Sequence, residues 1–176
     1  MTRRARVRPA TDLADRLPVR QAIPLVIVET LGLGVIFGIY AVLDARDSVL
    51  APLLVPFAVS FVLIVANSGA PGARPLRVVG SYAIAAIVGL GVSALPGPTF
   101  PEAVLAGAVT MLAMHLTGAL HSPAIAVAMI AVLADFSPVS AAQALPLVLL
   151  LATGVVTLAW AAHTVLGDAD YPARWW

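Results

Sequence analysis

Ala22-Ile23-Pro24-Leu25-Val26-Ile27-Val28-Glu29-Thr30-Leu31-Gly32-Leu33-Gly34-Val35-Ile36-Phe37-Gly38-Ile39-Tyr40-Ala41-Val42-Leu43 carries Glu29 as its only charge. At 1.5 Å per residue a helix over this stretch reaches across the ~30 Å hydrocarbon core of a bilayer. It is too long for the apolar part of a signal peptide, and no small-x-small cleavage site ends it. The reading that follows is a membrane-spanning helix.

Five further apolar runs repeat the pattern: Ala51 to Asn67, Val78 to Leu95, Ala103 to Leu120, Pro123 to Ala134, and Leu145 to Leu166. Pro123 to Ala134 makes a helix of only about 18 Å, so it is expected as a half-helix or a re-entrant piece. In Ala51 to Asn67, Pro52 and Pro56 interrupt the first third, and the free helix is expected from Phe57. The fold class is therefore an all-α membrane protein, a compact bundle of about six hydrophobic segments with one or two Pro-started short or broken helices. Its limits are a cytoplasmic tail over 1–20, one membrane domain over 21–167 with halves 21–98 and 99–167, and a short tail over 168–176.

Composition agrees and narrows the function classes. Hydrophobic residues make up 61% and charged residues 11% of the 176, more apolar surface than a soluble domain of this size can bury. The net charge of +1 and the lack of a basic stripe give no reason to expect a nucleic-acid partner. All 10 basic residues are arginine, and this lysine-free, alanine-rich usage points to a bacterial inner membrane. The absence of cysteine removes disulfides, thiolate metal sites, iron–sulfur clusters and cysteine nucleophiles.

Arginine placement sets the expected topology. Arg3, Arg4, Arg6, Arg8, Arg16 and Arg20 in the tail outweigh Asp12 and Asp15, which keeps this solvated tail, with at most a short interfacial helix over Thr11 to Leu17, in the cytoplasm. Arg74 and Arg77 fall two crossings later, again inside, whereas Gly97 to Glu102 has no arginine and is placed outside. The C-terminus comes out inside if Pro123 to Ala134 counts as a crossing, and outside if that segment re-enters.

The two halves share a shape: in each, a short apolar segment behind a proline stands between longer ones, as in transporters built from 3+3 inverted repeats. The alternative is that prolines simply begin many membrane segments. Pro56-Phe57-Ala58-Val59-Ser60, Ala73-Arg74-Pro75-Leu76-Arg77-Val78-Val79-Gly80 and His121-Ser122-Pro123-Ala124 together resemble the HPP family of integral membrane proteins, named for a His-Pro-Pro motif. The likeness runs from Val35 to Leu166. Ser122 stands where that motif has a proline, Ile125 and Val127 where small residues are usual, and Ser81-Tyr82 where Gly-His is usual. Some members of that family are described as nitrite transporters, so the resemblance implies a small inorganic anion as substrate.

A helix start buried in the membrane offers unbonded amides and a positive dipole end to an anion. The candidate substrate-binding groups are the amides of Phe57, Ala58, Ala124 and Ile125 with the hydroxyls of Ser60 and Ser122. The alternative is that neighbouring residues cap these ends. His121 is expected either to attract an anion and relay a proton, or to cap the short helix. Arg74 and Arg77 form a vestibule or act only as topology signals, and Glu29 carries a proton or pairs with Arg77 or Arg20. His115, six residues from His121, is a poor metal partner for it and is expected to face the bundle interior. Gly34 and Gly38 make a close-approach face for intramolecular or subunit packing, and Trp175 and Trp176 are expected to anchor the end at the interface.

No phosphate loop, metalloprotease element or catalytic triad is present, so no catalytic residue, metal or cofactor is expected and the chain is not read as an enzyme. The leading expectation is a small-anion, nitrite-like transporter or channel; the alternative is a non-transporting membrane scaffold or sensor subunit. The expected partners are a small inorganic anion, the lipid bilayer and a homo-oligomer of the chain itself.

Overall fold

The computed structural model describes residues 19–42, 50–96, 100–134, 138–167 and 171–176; the expectations for most of the arginine-rich tail, and for its interfacial helix, lie outside them. Among the described residues the elements are α1 (Val19–Val42), α2 (Leu50–Ala66), a short 3-10 turn (Pro71–Ala73), α3 (Pro75–Ser93), α4 (Phe100–Thr117), α5 (Pro123–Leu133) and α6 (Pro138–Leu166). Helices α3, α4 and the Gln143–Leu166 part of α6 are each long and apolar enough to cross a bilayer, while Ala22–Gly38, Pro52–Ala66 and α5 are shorter apolar stretches. The six expected segments are all present.

The start of α2 corrects the sequence reading. The helix begins at Leu50, and Pro56 lies inside it rather than at its first turn. A proline here removes one N–H from the ladder, a loss that buried membrane helices tolerate when side chains supply other hydrogen bonds. The carbonyl left without its donor is that of Pro52; the Pro56 carbonyl, one turn on, lies within hydrogen-bond distance of two hydroxyls, Ser60 Oγ at 2.9 Å and Tyr82 Oη at 2.8 Å.

At 11 residues, α5 extends about 16 Å, so it is the half-helix that the sequence predicts. Its lead-in is recessed. Ala119 packs beside Gly80, where a Cβ would lie 3.8 Å from the Ala119 methyl, and Gly80 is five residues, about 7–8 Å, into α3. Further along, a Cβ on Gly89 would stand 2.9 Å from the Cα and carbonyl oxygen of Ala128, so α3 and α5 meet backbone to backbone.

Helix pairing has a regularity. α1 packs on α2 and α6; α2 also packs on α5 and α6; α3 packs on α4, α5 and α6; and α4 packs on α5. Exchanging α1 with α4, α2 with α5, and α3 with α6 maps this set of pairs onto itself, α2·α5 and α3·α6 each returning to themselves. Each half also seats a side chain of its short helix against a glycine of its first helix: Phe61 against Gly32, and Met129 against Gly107. A Cβ on Gly34 or Gly38 would meet nothing within 4 Å among the described residues, so the close approach seen on α1 is made by Gly32 instead.

The C-terminal residues form a strap under the start of α3. Leu76 donates its amide to the Trp175 carbonyl at 2.9 Å, Tyr171 donates its hydroxyl to Ala73 at 3.1 Å, and Arg74 Nη1 donates to the Trp176 carbonyl at 3.0 Å. The C-terminus therefore lies on the same face as the α2–α3 connector, as the count with Pro123 to Ala134 crossing requires. Trp176 acts through Arg77, whose guanidinium carbon stands 5.8 Å over its ring.

Candidate functional site

Ser60, Tyr82 and His121 meet in the centre of the bundle, with Ser60 and Tyr82 fully buried and His121 nearly so. Ser60 lies six residues, about 9 Å, before the end of α2, and Tyr82 lies seven residues into α3, so the cluster sits below the connector face. The backbones of α2 and α3 do not touch. Tyr82 bridges the gap, stacking on Phe57 with centroids 4.3 Å apart and planes at 14°. His121 arrives from the α4–α5 connector, where Gly118 at φ 70° turns the chain after α4, a backbone that favours glycine.

Hydrogen-bond chemistry assigns the protons. His121 Nδ1 is 2.8 Å from the Gly72 carbonyl, which only accepts, so Nδ1 carries a hydrogen. In neutral imidazole Nε2 must then accept, and Ser60 Oγ lies 2.7 Å from it as the donor. Tyr82 Oη, 2.6 Å from Ser60 Oγ and 2.8 Å from the Pro56 carbonyl, donates to one of the two. A second filling carries one more proton: Nε2–H donates to Ser60, Ser60 donates to Pro56, and Tyr82 keeps either acceptor. The array thus has partners for both charge states of His121, a property of proton-handling sites.

On the connector side His121 forms part of the wall of a cleft of about 400 Å³, shared with Asn67, Pro71, Gly72, Arg77, Leu120 and Ser122. The Nε of Arg77 is shut off from solvent and has no hydrogen-bond partner. A buried, unbonded guanidinium nitrogen is costly unless an acceptor visits it. Among the described residues no acidic side chain lines this cleft.

The structure brings some predicted residues together and moves others away. Ser60 and His121 are in contact, and Ser122 and Arg77 share the cleft with His121. The amides do not serve as predicted. Ala124 and Ile125 donate theirs to the carbonyls of His121 and Ser122, both at 3.1 Å, and Phe57 and Ala58 lie buried within α2, where the helix ladder takes amide hydrogens. Two helix ends do not face each other; the recessed start of α5 faces the middle of α2.

Three further placements also differ. Arg74 is drawn away to the strap, so it and Arg77 do not share one vestibule. Glu29 makes no ion pair among the described residues, Arg77 being held across the bundle against Trp176. His115 faces outward, because the buried stripe of α4 runs through Ala103, Ala106, Gly107, Thr110 and Met114, and one further residue turns about 100° away. Tyr82, Gly72 and Asn67 are the site residues that the sequence did not single out as such. Tyr82 was marked only as the residue standing where the resemblance expects histidine.

The family model described as HPP, transmembrane region, matches residues 14–172 of the chain. No curated protein and no solved structure matches it.

Proposed function

This chain belongs to the HPP transmembrane family, and from that footing we propose that it passes a small inorganic anion across the membrane by way of the Arg77–His121 cleft. The observation that carries the reading is the buried, unbonded Nε of Arg77 in a cleft with no carboxylate. An anion in the cleft supplies the missing acceptor once the Arg77 side chain turns its enclosed Nε toward it, and charge-assisted bonds of this kind are the stronger ones. The Asn67 amide and the Ser122 hydroxyl add neutral donors along the same wall.

Beyond this cleft the way is closed by the Ser60–His121 bond. Passage requires that bond to open, and Ser60 retains the Pro56 carbonyl and Tyr82 as partners when it does. Nitrite is the substrate that the resemblance favours. We read the pair as a gate rather than as a nucleophile and its base, since Pro56 and Tyr82 bond the fully buried Ser60 hydroxyl and no reacting carbonyl has room to approach.

The same reading takes the halves as inverted repeats, supported by the exchange-invariant packing. It places the connector face with Arg74 and Arg77 in the cytoplasm of a bacterial inner membrane, on arginine placement. A homo-oligomer belongs to the proposal, with the outward Gly34–Gly38 face of α1 as the surface open to it.

The test is flux. Purified protein in proteoliposomes passes nitrite above empty vesicles, and Arg77→Gln lowers that flux by roughly tenfold or more at sub-saturating anion, from the loss of one charge-assisted contact. Absence of flux across nitrite, nitrate, chloride and formate sinks the reading and favours the scaffold or sensor.

A further inference from the structure

Where the strap passes the start of α3, two hollows share Tyr171 and Pro172 as a common wall. The smaller, about 120 Å³, is polar and holds Ser68, Arg74 and Arg174. The larger, about 610 Å³, is a groove between α3 and α6 walled by Leu76, Val79, Val156, Trp160 and Trp175. That volume is within the usual range for ligand clefts, roughly 300–1,000 Å³.

The groove is apolar in function as well as in composition. Its two threonines spend their hydroxyls on their own helix, Thr153 on Leu149 at 2.8 Å and Thr157 on Thr153 at 2.9 Å, so they turn methyl groups to an occupant. Leu76 on α3 and Trp160 on α6 are exposed, which on these helices means that they face lipid, and Trp175 of the strap is exposed beside them. Tyr171, in the shared wall, is no free donor either: its hydroxyl is committed to Ala73, and burial pushes its pKa up to about 12.

The notch has the opposite character. Arg74 spends one nitrogen on the Trp176 carbonyl and keeps the rest of its fork, and Arg174 is exposed. Among the described residues no acidic side chain lines either hollow. A positive notch at the membrane-face end of an apolar, lipid-facing groove matches a molecule with an anionic head joined to a hydrocarbon tail.

We infer that these paired hollows bind an anionic glycerophospholipid, its phosphate between Arg74 and Arg174 and an acyl chain along the α3–α6 groove. The site shares no lining residue with the His121 cleft, so it stands or falls separately from anion passage. A lipid held there clamps the strap to α3.

The experiment is a lipid titration of the delipidated full chain in detergent micelles, read by native mass spectrometry. Phosphatidylglycerol is expected to bind at least fivefold more tightly than phosphatidylcholine of the same acyl chains. Arg174→Gln, an exposed change that leaves folding alone, is expected to weaken phosphatidylglycerol by about fivefold, from an attraction of ~1 kcal/mol per arginine. Val156→Trp, filling the groove, is expected to weaken both lipids. Equal affinity for the two lipids, an unchanged Arg174→Gln, or glycerol phosphate binding as tightly as the intact lipid each overturns the assignment.

Discussion

Ser60→Ala and Tyr82→Phe remove one hydroxyl each from the same cluster, yet the structure makes their costs unequal. Tyr82→Phe leaves the ring stacked on Phe57 and strands no buried atom: Ser60 still gives its single hydrogen to His121 Nε2, and the Pro56 carbonyl keeps the Ser60 amide of its own helix ladder. Its cost is that of a net hydrogen bond, about 0.5–1.5 kcal/mol. Ser60→Ala strands His121 Nε2, a buried acceptor whose ring is pinned on its other side by Gly72. Leaving a buried polar atom unmet adds about 1–3 kcal/mol, so Ser60→Ala exceeds Tyr82→Phe by roughly 1 kcal/mol or more. Because the two hydroxyls lie 2.6 Å apart, the double variant departs from additivity by at least about 0.5 kcal/mol. Reversible unfolding in mixed micelles by titration with sodium dodecyl sulfate measures all three. A Tyr82→Phe cost equal to that of Ser60→Ala, together with additive costs, would refute the proton assignment and the placement of Ser60 as the central partner of His121.

Gly89→Ala drives a methyl into the Ala128 backbone and is expected to cost about 1–3 kcal/mol in the same titration, whereas Gly91→Ala, two residues on and facing open space, stays within about 0.5 kcal/mol. The cysteine-free chain suits labelling with a membrane-impermeant maleimide: Gly69→Cys and Ala173→Cys react from one side and Leu95→Cys from the other, and opposite sides for the first two would break the strap assignment. Tyr171 has a folded pKa of about 12, above its ordinary value of about 10, so its contribution to strap docking is intact below pH 10 and is lost as the pH rises through 12. Protease nicking of the strap should therefore increase across that window in wild type, and Tyr171→Phe should remove the step while costing about 1 kcal/mol at neutral pH.

The helices were legible because membrane segments announce themselves by length and apolarity, and these runs lie close to the helices found. The start of α2 was not, because the proline rule stops a helix before Pro56, whereas a buried membrane helix carries one missing N–H through its interior, and α2 does so from Leu50 to Ala66. His121 and Ser60 were singled out correctly as intramembrane polar residues, but their partners could not be. Gly72 contributes a carbonyl, which no side-chain reading marks, and Tyr82 sits on a helix whose backbone never touches α2. His115 was misplaced by a single residue of register on α4, where Met114 rather than its neighbour points inward.

The position of the cluster relative to the two prolines explains why a symmetric argument led to Ser60 and His121 through backbone amides that the structure shows bonded elsewhere. Counted from the prolines, Ser60 of α2 corresponds to Val127 of α5, and His121, two residues before Pro123, corresponds to Leu54. The scaffold exchanges its halves freely, but the polar residues do not. Ser60 comes from one half and His121 from the other, and neither has a polar counterpart across the exchange. A mirrored pair, Val127 with Leu54, has no hydrogen bond to make or break. The arrangement is therefore chemically one-sided: the Ser60–His121 pair borders the arginine cleft, while the corresponding positions, Leu54 and Val127, are buried and apolar. On the proposed reading, a substrate meets charge and hydrogen bonding at the arginine cleft, and a step slowed by desolvation is expected where the corresponding positions, Leu54 and Val127, are buried and apolar.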